Sequence, residues 1–180
     1  MKKEETKRLV TLSLFAAIVV VLQLIASYIT IGGFPITLTL VPIVLAGAIY
    51  DEKASALLGF VFGLVVLVKV LTGQDIGGNA MFALHPLVTV FVCLFKGTMA
   101  GLVCGLLYKV IKNKKLAIFV SAASAPLVNT SILYLILIVF FDSTFTAFIA
   151  ALMSVNFLIE LLINVLLAPG LLRVIEMPRR

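Results

Sequence analysis

The sequence predicts an all-α integral membrane protein: a bundle of six transmembrane helices with both termini cytoplasmic. Three observations predict it. Of the 180 residues, 63% are hydrophobic, and the mean hydropathy is +1.26. A soluble domain is roughly 45–50% apolar, and so short a chain has too little interior to bury this much more. The charged residues, 12% of the chain, cluster between long apolar runs. Those clusters are basic at every second connection and free of lysine and arginine at the others.

The apolar runs cover residues 9–31, 36–50, 54–71, 81–111, 116–141 and 145–175. A helix needs roughly 20 apolar residues to cross a bilayer. The first run is broken by Gly32, Gly33 and Pro35. It is too long for the apolar core of a cleaved signal, so it reads as a retained span. The second run is short and contains Pro42, which predicts tilting or shielding by protein. The fourth is long and is expected to overrun the bilayer or to bend near Pro86. The turns are polar: Asp51-Glu52-Lys53, Thr72-Gly73-Gln74-Asp75, Lys112-Asn113-Lys114-Lys115 and Asp142-Ser143. None is long enough to hold a soluble domain, so residues 1–180 read as a single membrane domain.

Orientation follows from the basic residues. With the N-terminus inside, the cytoplasmic segments carry Lys2, Lys3, Lys7, Arg8, Lys53, Lys109, Lys112, Lys114, Lys115, Arg173, Arg179 and Arg180, twelve of the fourteen. The outer connections at 32–35, 72–80 and 142–144 carry none. The net charge of +6 therefore belongs to membrane flanks rather than to a nucleic-acid surface, which would interleave basic and exposed aromatic residues.

Several chemistries are missing. There is no GxxxxGK[ST] phosphate loop, HExxH, CxxC or nucleophile elbow. One histidine, His85, excludes a multi-histidine metal site. No cofactor is implied. Cys93 and Cys104 are eleven residues apart in one run, ~16 Å along a helix, too far for a disulfide.

Polar residues inside the runs are the candidates for function, because each costs insertion free energy unless it faces a partner or a cavity. Lys96 and Glu160 lie about fifteen residues in from the outer ends of their runs, a shared depth of ~20 Å. They either pair to hold two helices in register, or one of them meets a charged solute. Lys69 lies near the outer end of the third run, where it either snorkels to the headgroups or faces a pocket. Asn156, Glu160 and Asn164 recur every four residues and share a helix face. Asn129, Thr130 and Tyr134 follow Pro126 in the fifth run and suit interhelical hydrogen bonds. Asn79 and His85 flank the outer start of the fourth. An outward pocket lined by Lys69, Asn79, His85, Asn129 and Asn156 would favour solute capture. A closed bundle would favour a structural subunit, and a small membrane enzyme would need a second catalytic group beside Glu160 or His85. Small residues at Gly59-xxx-Gly63 and Gly97-xxx-Gly101-xxx-Gly105 predict close helix packing or docking of another membrane subunit.

The chain resembles the substrate-binding S components of energy-coupling factor (ECF) vitamin importers of the bacterial inner membrane. The likeness rests on Ser13-Leu14-Phe15-Ala16-Ala17 after a basic start, Leu40-Val41-Pro42-Ile43-Val44-Leu45-Ala46-Gly47, and Ala54 through Leu64. Pro86-Leu87-Val88 followed by Lys96-Gly97-Thr98-Met99-Ala100-Gly101 adds to it. It covers about residues 8–175. The resemblance implies a small-molecule vitamin as ligand, and a membrane T component and two cytoplasmic ATPase subunits as partners. Ser13 and Ala17 fall where the family carries the AxxxA motif that docks the T component; serine replaces its first alanine. The family's loop over the pocket would include Gly33, Phe34 and Pro35. The Pro-Leu-Val start of the fourth run, with Lys96 ten positions on, is most similar to the pantothenate-type members.

Overall fold

The computed structural model describes residues 2–26, 28, 30–31, 34–35 and 39–176, excepting the side chains of 2, 3, 30, 31, 34, 35, 174 and 176. Its elements are α1 (Lys2–Ala26), β1 (Thr30–Ile31), β2 (Phe34–Pro35), α2 (Leu40–Ile49), α3 (Glu52–Leu71), α4 (Ile76–Leu84), α5 (Pro86–Val110), α6 (Lys114–Phe140) and α7 (Ser143–Glu176). The two strands form a small antiparallel pair, with Thr30 opposite Pro35 and Ile31 opposite Phe34. The pair packs against α7.

Among the described residues, five helices, α1, α3, α5, α6 and α7, are long and apolar enough to cross a membrane. The second run forms a helix over only ten residues, Leu40–Ile49. At 1.5 Å per residue that is ~15 Å, about half the hydrocarbon thickness. It is shielded by protein: Leu40, Pro42, Ile43, Val44, Ala46 and Gly47 are all buried. Pro42 lies in its first turn, where the missing N–H has no intrahelical acceptor in any case. The fourth run is two helices. The chain expected as an outer loop over 72–80 already turns helical at Ile76, and α4 ends at Leu84. Pro86 then opens α5 at a position that suits proline.

Side-chain caps explain the breaks. Asp51 accepts from Ala54 N–H at 2.7 Å, Asp75 from Gly78 N–H at 2.9 Å and Asp142 from Phe145 N–H at 2.9 Å. Asn113 accepts from the N–H groups of Lys115 and Leu116. Each cap satisfies donors that a helix start leaves unpaired.

The small-residue pattern is spent inside the chain. α3 packs against α5 so closely that glycine faces backbone along the seam. Gly59 lies against the Gly97 carbonyl, Gly63 against that of Cys93 and Gly101 against that of Ser55. Across the next helix pair, Ser121 Oγ donates to the Cys104 carbonyl at 3.0 Å and Cys104 Sγ donates to the Ser121 carbonyl at 3.3 Å. Both cysteines are free and buried.

Polarity runs opposite to that of a soluble protein. Large apolar side chains such as Leu14, Leu64, Phe91, Leu135 and Leu166 face outward, while Lys69, Asn129, Asn156, Glu160 and Asn164 are buried. Such an exterior needs lipid rather than water around it. The chain is a multi-pass membrane protein. At one end of the bundle Arg8 Nη2 meets Asp51 Oδ2 at 2.7 Å, and Lys109 Nζ meets Glu52 Oε1 at 2.8 Å. These contacts gather the start of α1, the α2–α3 turn and the end of α5 on one face.

Candidate functional site

Polar side chains of α5, α6 and α7 converge on a space also walled by α3. The surfaces leave a cavity of about 60 Å³. Lys96 reaches it from α5, Asn129 from α6, and Asn156 and Glu160 from α7. Lys96 is half-buried, and the other three are buried. Phe62, Val66, Met81, Val92 and Leu133 supply apolar wall. A few convergent polar groups on an apolar lining are what a small-molecule site requires.

Helix periodicity explains which residues arrive. On α7, Asn156 and Glu160 are one turn apart and both line the cavity. Asn164, a turn further, lies beyond it and donates from Nδ2 to the Glu160 carbonyl at 2.8 Å. On α5, Thr89, Cys93 and Lys96 share one stripe and all line the cavity. The Oδ1 of Asn129 is buried and has no hydrogen-bond partner among the described residues. A buried acceptor left unsatisfied costs about 1–3 kcal/mol, so the site favours an occupant that donates to it. Lys96 offers the opposite function, a cation able to hold a carboxylate through a charge-assisted hydrogen bond.

The other sequence candidates lie elsewhere. Lys69 neither snorkels nor reaches the cavity: it is 2% exposed, and its Nζ donates to the backbone carbonyl of Gln23 at 3.1 Å. Asn79 is exposed and donates from Nδ2 to the Val70 carbonyl at 3.1 Å, bracing α4 on α3. His85, also exposed, sets its ring edge-on to Phe141 with centroids 5.0 Å apart. Tyr134 points to the outer surface of α6, because its neighbour Leu133 takes the inward position. There it lines an open groove between α6 and α7 with Leu127, Ser131 and Leu158. That groove is larger, about 540 Å³, but its lining holds no side chain charged at neutral pH, and it faces the lipid side. Thr130, Met153 and Phe157 line both spaces and separate them. The side chain of Phe34, and all of Gly33, lie outside the described residues. Ser13 and Ala17 are both exposed on α1.

Sequence reasoning missed Gln23, Asp75 and Thr89, which also line the cavity. Gln23 carried a signal, being an amide inside an apolar run. Thr89 lies seven residues before Lys96, two turns along the same face.

A helical membrane bundle with an internal, mixed-polarity cavity has the architecture of a solute-binding membrane component. The chain belongs to the family of ECF transporter substrate-specific components, whose model matches residues 7–172. It is similar to the pantothenic acid transporter PanT of Lactococcus lactis subsp. cremoris (strain MG1363). The two are 26% identical over 189 aligned residues, spanning 95% of this chain and 94% of that protein.

Proposed function

We propose that this chain captures pantothenate at the outer face of the bacterial inner membrane and delivers it inward together with a T component and two ATPase subunits. The observation that carries the reading is the cavity that joins Lys96, Asn129, Asn156 and Glu160 across three helices. Pantothenate has one carboxylate, two hydroxyls and an amide. Lys96 suits the carboxylate, and the acceptor oxygen of Asn129 suits a hydroxyl or the amide N–H. The apolar wall suits the dimethyl-substituted carbon between them. The similarity to a pantothenic acid transporter over nearly the full length of both chains supports the same solute.

Six crossings with both termini cytoplasmic fit this role, with α2 as the second crossing. The basic residues gathered with the start of α1, the α2–α3 turn and the end of α5 support that orientation. The exposed Ser13 and Ala17 leave a small-residue strip on α1 for the T component.

The test is a thermal-shift titration of the purified, detergent-solubilised chain without ATP or partners. Pantothenate at a hundred times its Kd adds about 2.7 kcal/mol to stability and raises the melting temperature. Stabilisation by another water-soluble vitamin but not by pantothenate would reassign the solute. No stabilisation by any would end the capture reading.

A further inference from the structure

The buried lysine that misses the cavity acts on a residue that reaches it. α1 ends at Ala26, so Gln23 stands in its last turn. Lys69 Nζ donates to the Gln23 carbonyl from α3 at 3.1 Å. A cation there also meets the negative end of the helix dipole. Asp75, at the cap of α4, is its acidic neighbour. Gln23 is itself 1% exposed and lines the cavity. Its Oε1 accepts from Thr39 Oγ1 at 3.4 Å, immediately before α2. One residue is therefore gripped twice, by its backbone from α3 and by its side chain from the start of α2.

Packing alone does not account for a lysine in this place. An ammonium inside a span costs insertion free energy that methionine of similar length does not. The lysine gives a fixed hydrogen bond to the last turn of α1, a turn that otherwise frays. What an amide at a cavity wall can do for a solute depends on where it is held.

We propose that Gln23 is a solute-recognition residue and that Lys69 is its positioning residue, fixing the end of α1 so that the Gln23 amide stays at the cavity wall. This rests on the capture reading above.

A double-mutant cycle tests it. Pantothenate is titrated calorimetrically into the purified wild-type chain, Gln23→Ala, Lys69→Met and the double variant, with the ligand-free melting temperature of each measured alongside. Each single change is expected to weaken binding about tenfold, the upper range for one hydrogen bond. The double variant is expected to bind no more weakly than the poorer single, because both changes remove the same contact. Lys69→Arg keeps a donor and is expected to retain more affinity than Lys69→Met. Should Lys69→Met fail to fold, Lys69→Arg with Gln23→Ala completes the same cycle. Wild-type affinity in Gln23→Ala would overturn the proposal and leave the capture reading standing. So would losses that multiply in the double variant, since Lys69 would then act independently of Gln23. If wild type ignores pantothenate but binds thiamine, riboflavin, biotin or nicotinate, the solute assignment falls and the cycle is run with that vitamin. If it binds none of them, both readings fall.

Discussion

Replacing Gly63 by alanine should separate α3 from α5. A methyl group at Gly63 would lie 2.6 Å from the Cys93 carbonyl oxygen and 3.0 Å from Leu94 Cα, where ordinary contact is 3.4–4 Å. Both neighbours are backbone, so no rotamer change relieves the clash and the helices must part by most of an ångström. A radial gap of that size forfeits a quarter to a half of each dispersion contact it opens. Overpacking costs about 1–3 kcal/mol, and the rigidity of both sides puts this case near 2–3. At about 2–4 °C per kcal/mol for a chain of this length, the melting temperature should fall by roughly 4–12 °C. Differential scanning fluorimetry in detergent reads the change directly. Gly170→Ala is the control: nothing lies within 4 Å of the added methyl, and alanine is the better helix former by about 1 kcal/mol. If Gly63→Ala melts with Gly170→Ala and wild type, the glycine seam does not hold these helices together.

Two further outcomes are expected. Lys96→Met should weaken pantothenate binding by roughly 10- to 100-fold, the value of a hydrogen bond to a charged group. It should leave binding of the corresponding alcohol, which lacks the carboxylate, unchanged; equal losses for both would remove Lys96 from the carboxylate. At the end of the bundle that carries the Arg8–Asp51 pair, burial pushes the Asp51 carboxyl up. The Ala54 N–H and the Arg8 guanidinium outweigh that and hold it below its usual range. A carboxyl with a depressed folded pKa stabilises the fold above its unfolded value of about 4, and the contribution is lost as pH falls through the folded pKa. Stability should therefore decline more between pH 5 and pH 3 in wild type than in Asp51→Asn. Both side chains are partly exposed, so the difference should be small and should shrink in high salt.

Hydropathy made the apolar helices legible because lipid imposes one rule on every outward residue. Turn chemistry made their boundaries legible too: Asp51, Asp75, Asn113 and Asp142 all stand in the polar breaks of the sequence. Where the sequence misled, three-dimensional partners decided. Ile76–Leu84 read as connection and start of a span, yet it folds as a separate helix because Asp75 caps it and Pro86 begins the next. In the site, depth matched Lys96 with Glu160, and both do line one cavity. Depth cannot reveal rotation about a helix axis, which is why Tyr134 and Leu133, adjacent in sequence, face opposite ways. Nor can it reveal that Lys69 spends its charge on a backbone carbonyl, since every residue carries one.

The size of the cavity bears on how a solute enters. About 60 Å³ is several times the roughly 10–15 Å³ that one water needs, yet well below the roughly 300 Å³ at which small-molecule sites begin. Capture therefore requires wall side chains to move, and the apparent affinity is reduced by the fraction of molecules already open. The compliant part of the wall is the part shared with the outer groove. Met153 and Phe157 are half-buried there, and methionine adapts its three rotatable bonds to irregular space. The opposite wall is stiff, because Phe62, Val66 and Cys93 belong to the α3–α5 seam, where glycines bring backbone against backbone. Expansion is thus expected toward α6 and α7, the helices that carry Asn129, Asn156 and Glu160. On the proposed reading, the α6 and α7 groups that meet the solute sit on the side that yields, while Lys96 stands on α5, on the fixed side they close against.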